Sequence, residues 1–177
     1  MKALKIVPLT FILIAVSVRL LPHPANFAPI TALALFGGVY LSKKYAFILP
    51  LLALFLSDLA LGFYGREMFY VYGSFVLSGI IGLWIRDRKK LATIAIGSLL
   101  ASILFFLITN FGVWANPNSW YSRDFQGLIQ SYIAGLPFFR NTLLGDLFFT
   151  GAFFGGYEVA HLYAKKYLPK RIYNSAF

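Results

Sequence analysis

Six long apolar runs divide this chain: roughly Ile6–Leu21, Asn26–Leu41, Ala46–Gly62, Phe69–Ile85, Leu91–Trp114 and Leu143–Tyr163. A helix rises about 1.5 Å per residue, so runs near 20 residues match the ~30 Å hydrocarbon layer of a bilayer. The chain between them has too little polar material to clothe a soluble domain, with 59% hydrophobic and 12% charged residues. The expected fold is an all-α integral membrane protein, a bundle of six transmembrane helices forming one domain over residues 1–177. The first two runs are short and are separated by Pro22, Pro24 and Pro29, so hydropathy alone is also compatible with four or five crossings. Met1-Lys2-Ala3-Leu4-Lys5 resembles the basic start of a signal peptide. Ala15-Val16-Ser17 is a poor cleavage site and a second apolar run follows directly, so the first run is read as a retained span.

Charge placement supports six spans independently. Lys2 and Lys5 precede the first run; Lys43 and Lys44 follow the second; Arg86, Arg88, Lys89 and Lys90 follow the fourth; Lys165, Lys166, Lys170 and Arg171 follow the sixth. The opposite side has only Arg19, Arg66, Arg123 and Arg140, a split of 12 against 4. Basic residues concentrate in cytoplasmic loops, so the pattern predicts both termini inside and a location in the bacterial cytoplasmic membrane. The net charge of +10 thus points to a membrane face and not to nucleic acid. No basic channel interleaved with aromatics is present to bind a single strand. The 19 Phe, 11 Tyr and 3 Trp suit a lipid-facing surface with interfacial Tyr and Trp.

Several chemistries are excluded by residue type. Without cysteine there are no disulfides, thiolate nucleophiles or Cys-type metal sites. No phosphate-binding loop, dinucleotide fingerprint, nucleophile elbow or H-E-x-x-H motif occurs, so the expectation is a protein that is not an enzyme and carries no cofactor or metal. Glu158, His161 and Lys165 share one stripe of the last run. Carboxylate metal sites need more Glu and a second Glu-x-x-His, so this stripe reads as a solvated interface.

The side opposite the basic loops holds the irregular segments. Residues 19–29 form a stiff proline-rich turn, and residues 115–139 form a long external connection that reads as a lid. The spacing of Phe125, Leu128, Ile129, Tyr132 and Ile133 makes part of that lid an amphipathic helix. A charge inside a membrane span is costly and therefore a candidate for function. Asp58 and Asp146 lie within the third and sixth runs, Arg19 closes the first and Arg140 opens the sixth, all toward the external side. Asn110 and Trp114 share a face of the fifth run. Asn141 or Thr142 is placed to cap the sixth span, with free N–H groups beside Arg140. These polar groups read equally well as ligand contacts and as pairs, Arg19–Asp58 or Arg140–Asp146, that hold helices in register. Small residues at four-residue spacing, Ser74, Ser78 and Gly82, Gly97 and Ala101, and Gly151 and Gly155, mark close helix contacts.

Pro22-His23-Pro24-x-Asn26-Phe27-x-Pro29-Ile30, Ala34-Leu35-Phe36-Gly37-Gly38, Ser57-Asp58 and the stretch Gly135-Leu136-Pro137-Phe138-Phe139-Arg140-Asn141-Thr142-Leu143-Leu144-Gly145-Asp146 resemble a bacterial family of small membrane proteins regarded as transport proteins. That family in turn resembles, more loosely, the substrate-binding S components of energy-coupling factor (ECF) vitamin transporters. The resemblance implies six helices with both termini cytoplasmic and a vitamin-like ligand bound near the external side. It also implies a transmembrane coupling subunit and separate ATPases as partners. Many S components dock that subunit through Ala-x-x-x-Ala on the first helix; here Ala15 is followed by Arg19, and Ala28 and Ala32 keep the spacing in the second run.

The expectation is therefore a substrate-binding membrane component for a vitamin-like or other small polar or aromatic molecule. Its site would comprise Arg19, Asn26, Asp58, Asn110, Trp114, Arg140, Asn141 and Asp146, closed over by Trp120 and Tyr121. Polar groups would orient the ligand and aromatic ones bury it. A structural or assembly protein, with the same residues as staples, is the first alternative. A lipid-modifying enzyme using Asp58 with His23 or Asp146 as acid and base is the second.

Overall fold

The computed structural model describes residues 6–167 with Pro169, Lys170 and Tyr173. Lys2, Lys5 and Arg171, on which part of the charge pattern rests, lie outside the described residues. Among the described residues six helices follow one another: α1 (Ile6–Leu20), α2 (Ile30–Tyr40), α3 (Tyr45–Leu61), α4 (Glu67–Ile85), α5 (Leu91–Ala115) and α6 (Phe125–Tyr167). Among the described residues there is no strand. α4 and α5 are long and apolar enough to cross a membrane, whereas α1 to α3 are shorter apolar helices. α6 is long, but Arg140, Asn141 and Asp146 interrupt its apolar character.

α2 is the axis of the molecule. Every residue from Ile30 to Val39 is buried, and α1, α3, α4, α5 and α6 all pack on it. A helix hydrophobic all round is stable only when enclosed in this way. Phe36 sits at its middle, with its ring 4.6 Å from that of Phe11 and 5.4 Å from that of Phe154. With 11 residues, α2 is about 16 Å long, half the thickness of a hydrocarbon layer. It begins at Ile30, four residues later than the apolar run, because Pro24 to Pro29 form a turn in which Phe27 N–H bonds to the Pro24 carbonyl at 3.0 Å. Asn26 takes a left-handed φ of 65° there, a conformation that Asn tolerates better than most residues.

Glycine sets the closest helix approach. A Cβ on Gly38 would lie 2.6 Å from the Gly82 carbonyl carbon, and one on Gly82 would lie 2.7 Å from the Leu35 oxygen. α2 and α4 therefore touch backbone to backbone. Ser74, Ser78 and Gly97 are buried as the spacing expects, with Ser74 and Ser78 donating to carbonyls one turn back. Gly151 and Gly155 differ: both are exposed, with nothing within 4 Å of an added Cβ, so they make no contact inside the bundle. Ala15 and Ala32 are fully buried and Ala28 is half-buried.

Arg86 was expected as one of four basic loop residues. Its Nε donates to the Gly38 carbonyl at 2.7 Å and its Nη2 to the Leu41 carbonyl at 2.5 Å, closing the C-terminal end of α2. A cation there satisfies carbonyls that the helix cannot and complements its dipole.

The largest departure from expectation is α6. The connection between α5 and α6 is only residues 116–124; from Phe125 the amphipathic piece and the last apolar run are one helix of 43 residues with Pro137 inside it. Its start is held by Asp124, whose Oδ1 accepts from Gly127 N at 2.7 Å and from Ser122 Oγ at 2.8 Å. These bonds hold the Asp124 carboxyl below the usual carboxylate range. Asn141 and Thr142 are accordingly mid-helix residues without free N–H groups around them, and Thr142 Oγ1 bonds back to Phe138 O at 3.0 Å. Gly135 and Pro137 do not interrupt the helix: Gly135 lies directly against Asn110 of α5, where no side chain would fit. One proline costs a helix a single ladder bond plus local adjustment, which a packed neighbour can offset.

Candidate functional site

Two adjoining cavities open at the end of the bundle where α1 ends and α2 begins. The first, about 270 Å³, lies under the 21–29 turn and is lined by Arg19, His23, Asn26, Thr31, Tyr64, Thr142 and Asp146 with an apolar wall of Ile30, Leu54, Phe75 and Phe105. The second, about 380 Å³, lies between α5 and α6 and is largely aromatic, with Phe105, Phe106, Tyr121, Phe138 and Phe139 beside Thr109, Asn110 and Ser131. Asn26, Val71, Phe105 and Thr142 line both.

Two ionisable clusters flank the first cavity. Arg19 Nη2 donates to Asp58 Oδ1 at 2.8 Å and its Nη1 to Ser57 Oγ at 2.6 Å. Tyr72 donates to Asp58 Oδ2 at 2.8 Å. Asp58 is fully buried and the Arg19 side chain 15% exposed, so the carboxylate lies behind the guanidinium and does not line the cavity. This is the one ion pair among the described residues. Tyr64, in the α3–α4 loop, is pushed up to about 12 by burial and by the charge of Asp58, and it offers the cavity a neutral hydroxyl. Across the cavity, Asp146 accepts from Ser102 Oγ at 2.6 Å and from the Thr31 hydroxyl at the start of α2. It is 2% exposed.

Of the residues singled out from sequence, Arg19, Asn26 and Asp146 meet in the first cavity, and Asn26, Asn110 and Tyr121 in the second. Besides Asp58, four others line neither. Trp114 donates from Nε1 to Ser122 O at 2.9 Å and ties down the 116–124 loop. Trp120 is 98% exposed and covers nothing. Arg140 is exposed and Asn141 half-buried on α6. The expected Arg140–Asp146 pair does not form, because six residues along a helix place the two side chains on different faces. Thr31, Tyr64 and Ser102 were missed. Ser102 follows Ser98 by one helical turn in an apolar run, a readable signal; Thr31 and Tyr64 reach the cavity only through tertiary structure.

Over residues 2–170 the chain matches, and so belongs to, a family described as a family of unknown function, DUF6580. No curated protein and no solved structure matches it.

Proposed function

We propose that the chain is a substrate-binding membrane component of S-component type, which captures a small polar or aromatic molecule for uptake and relies on separate ATPase subunits for energy. In this reading all six helices lie in the bilayer, both termini face the cytoplasm, and the cavities open outward. The lengths of α4 and α5 and the alternating basic loops support that orientation. Large apolar side chains on the bundle exterior, Leu59, Leu100, Leu144 and Phe148 among them, would face lipid. The short α2 fits as well: non-helical backbone at membrane depth is tolerated where it borders a cavity, as residues 24–29 do here.

The observation that carries the proposal is the first cavity, a concave space that brings Arg19, Asn26 and Asp146 together from α1, the 21–29 turn and α6. Native mass spectrometry of detergent-purified protein tests it. A small-molecule adduct present in the wild type and lost in Asp146→Ala supports binding; a clean apo mass, with the variant only less stable, overturns it. The rival structural reading holds locally for Arg19–Asp58, which is closed and fully bonded. It does not account for the open space beside them.

A further inference from the structure

We propose that the ligand carries a cationic nitrogen, held by Asp146, on an apolar or aromatic body that lies in the adjoining chamber between α5 and α6. The inference rests on the binding reading above and names its substrate class. Its first support is a charge count. Besides its tyrosines, the ionisable groups lining the two cavities are Arg19, His23 and Asp146. The Arg19 charge is already met by Asp58 at 2.8 Å, with Ser57 as a further acceptor. His23 is turned onto its own turn, with Nδ1 2.8 Å from the Pro24 carbonyl oxygen. Asp146 differs from both: its partners are the hydroxyls of Ser102 and Thr31, and no cation reaches it among the described residues. A positive group brought beside a carboxyl enclosed in this way stabilises its charged form. The cavity it borders is the place from which one can come.

The second support is shape. The chambers share Asn26, Phe105 and Thr142 as common wall, so one molecule can occupy both. The second chamber has no charged lining residue. Its wall includes the paired rings of Phe106 and Phe139, with centroids 4.5 Å apart, which favour a flat apolar body. A polar, cation-seeking chamber joined to an aromatic one selects an amphipathic organic cation over an anion or a sugar.

A matched series separates the charge from the body: tryptamine, tryptophol and indole-3-acetate share the indole and differ in the charge of the side arm. Thermal shift of the full chain in detergent is expected to rank tryptamine first and indole-3-acetate last. Asp146→Asn should weaken tryptamine roughly tenfold or more, the scale of a lost charge-assisted hydrogen bond, and bring it level with tryptophol. Phe106→Ala should weaken tryptamine and tryptophol alike. Equal or better binding of indole-3-acetate, or a tryptamine preference that survives in Asp146→Asn, overturns the charge assignment and leaves the binding reading standing. The wild-type ranking decides the sign of the charge even where Asp146→Asn does not fold. No shift with any of the three, together with no co-purifying small molecule by native mass spectrometry, overturns both.

Discussion

Arg19 at the end of α1 and Asp58 near the end of α3 meet at 2.8 Å, a bond across 39 positions of sequence that joins two helices at the rim of the cavity. Because Asp58 is fully buried, removal of either partner leaves an uncompensated charge. Arg19→Met or Asp58→Asn is expected to destabilise the protein by about 3–5 kcal/mol, and the double variant by much less than the sum. A double-mutant cycle on thermal unfolding in detergent measures this; additive losses would mean the pair does not couple the helices.

The contact of Gly38 with Gly82 gives a second prediction. Gly38→Ala and Gly82→Ala each place a methyl within 3 Å of backbone, which cannot rotate away, and should cost about 1–3 kcal/mol or more. Gly151→Ala, whose methyl meets nothing, should leave the melting temperature unchanged or slightly higher. Equal effects at the three positions would contradict the packing of α2 on α4.

The cap of α6 is expected to respond to pH. Bonds from Gly127 and Ser122 lower the folded-state pKa of Asp124. Its stabilisation is therefore complete above the unfolded value of ~4 and is lost as pH falls through the lower folded value. Protection against hydrogen exchange at Gly127 and Leu128, taken relative to the intrinsic rate at each pH, should be high at neutral pH, fall in strong acid, and be low throughout in Asp124→Ala. Unchanged protection in Asp124→Ala would show that the helix start does not depend on this carboxylate.

Orientation is testable with unusual ease because the chain has no cysteine. Asn118→Cys and Arg66→Cys should react with a membrane-impermeant maleimide added to whole cells, while Lys43→Cys and Lys166→Cys should react only after permeabilisation. The reverse pattern would invert the proposed topology and turn the cavities toward the cytoplasm.

All-helical architecture, and most boundaries of the six helices among the described residues, were legible from hydropathy, because long apolar runs favour helices, whose backbone bonds are internal. Asp58, Asp146 and Arg19 stood out for a similar reason: an ionisable group is rare in so apolar a setting, so its type and place in the chain were enough. Partners were not legible. Arg140 is as conspicuous in sequence as Arg19, but only Arg19 finds a carboxylate, since pairing depends on which face each side chain takes after the helices dock.

The sequence by itself determined which segments are helical, which ends collect basic residues, and which few polar groups require an explanation. Tertiary structure alone decided that α2 is the axis, that Gly135 and Pro137 lie inside a 43-residue helix, and that Arg86 closes the end of α2. It also decided that Thr31 and Tyr64 line a cavity with Asp146, that Ser102 bonds to Asp146 from behind, and that Trp120 lines nothing. Hydrophobicity acts residue by residue and so can be read along a chain. Close packing, helix rotation and the position of empty space arise only when segments distant in sequence compete for the same volume.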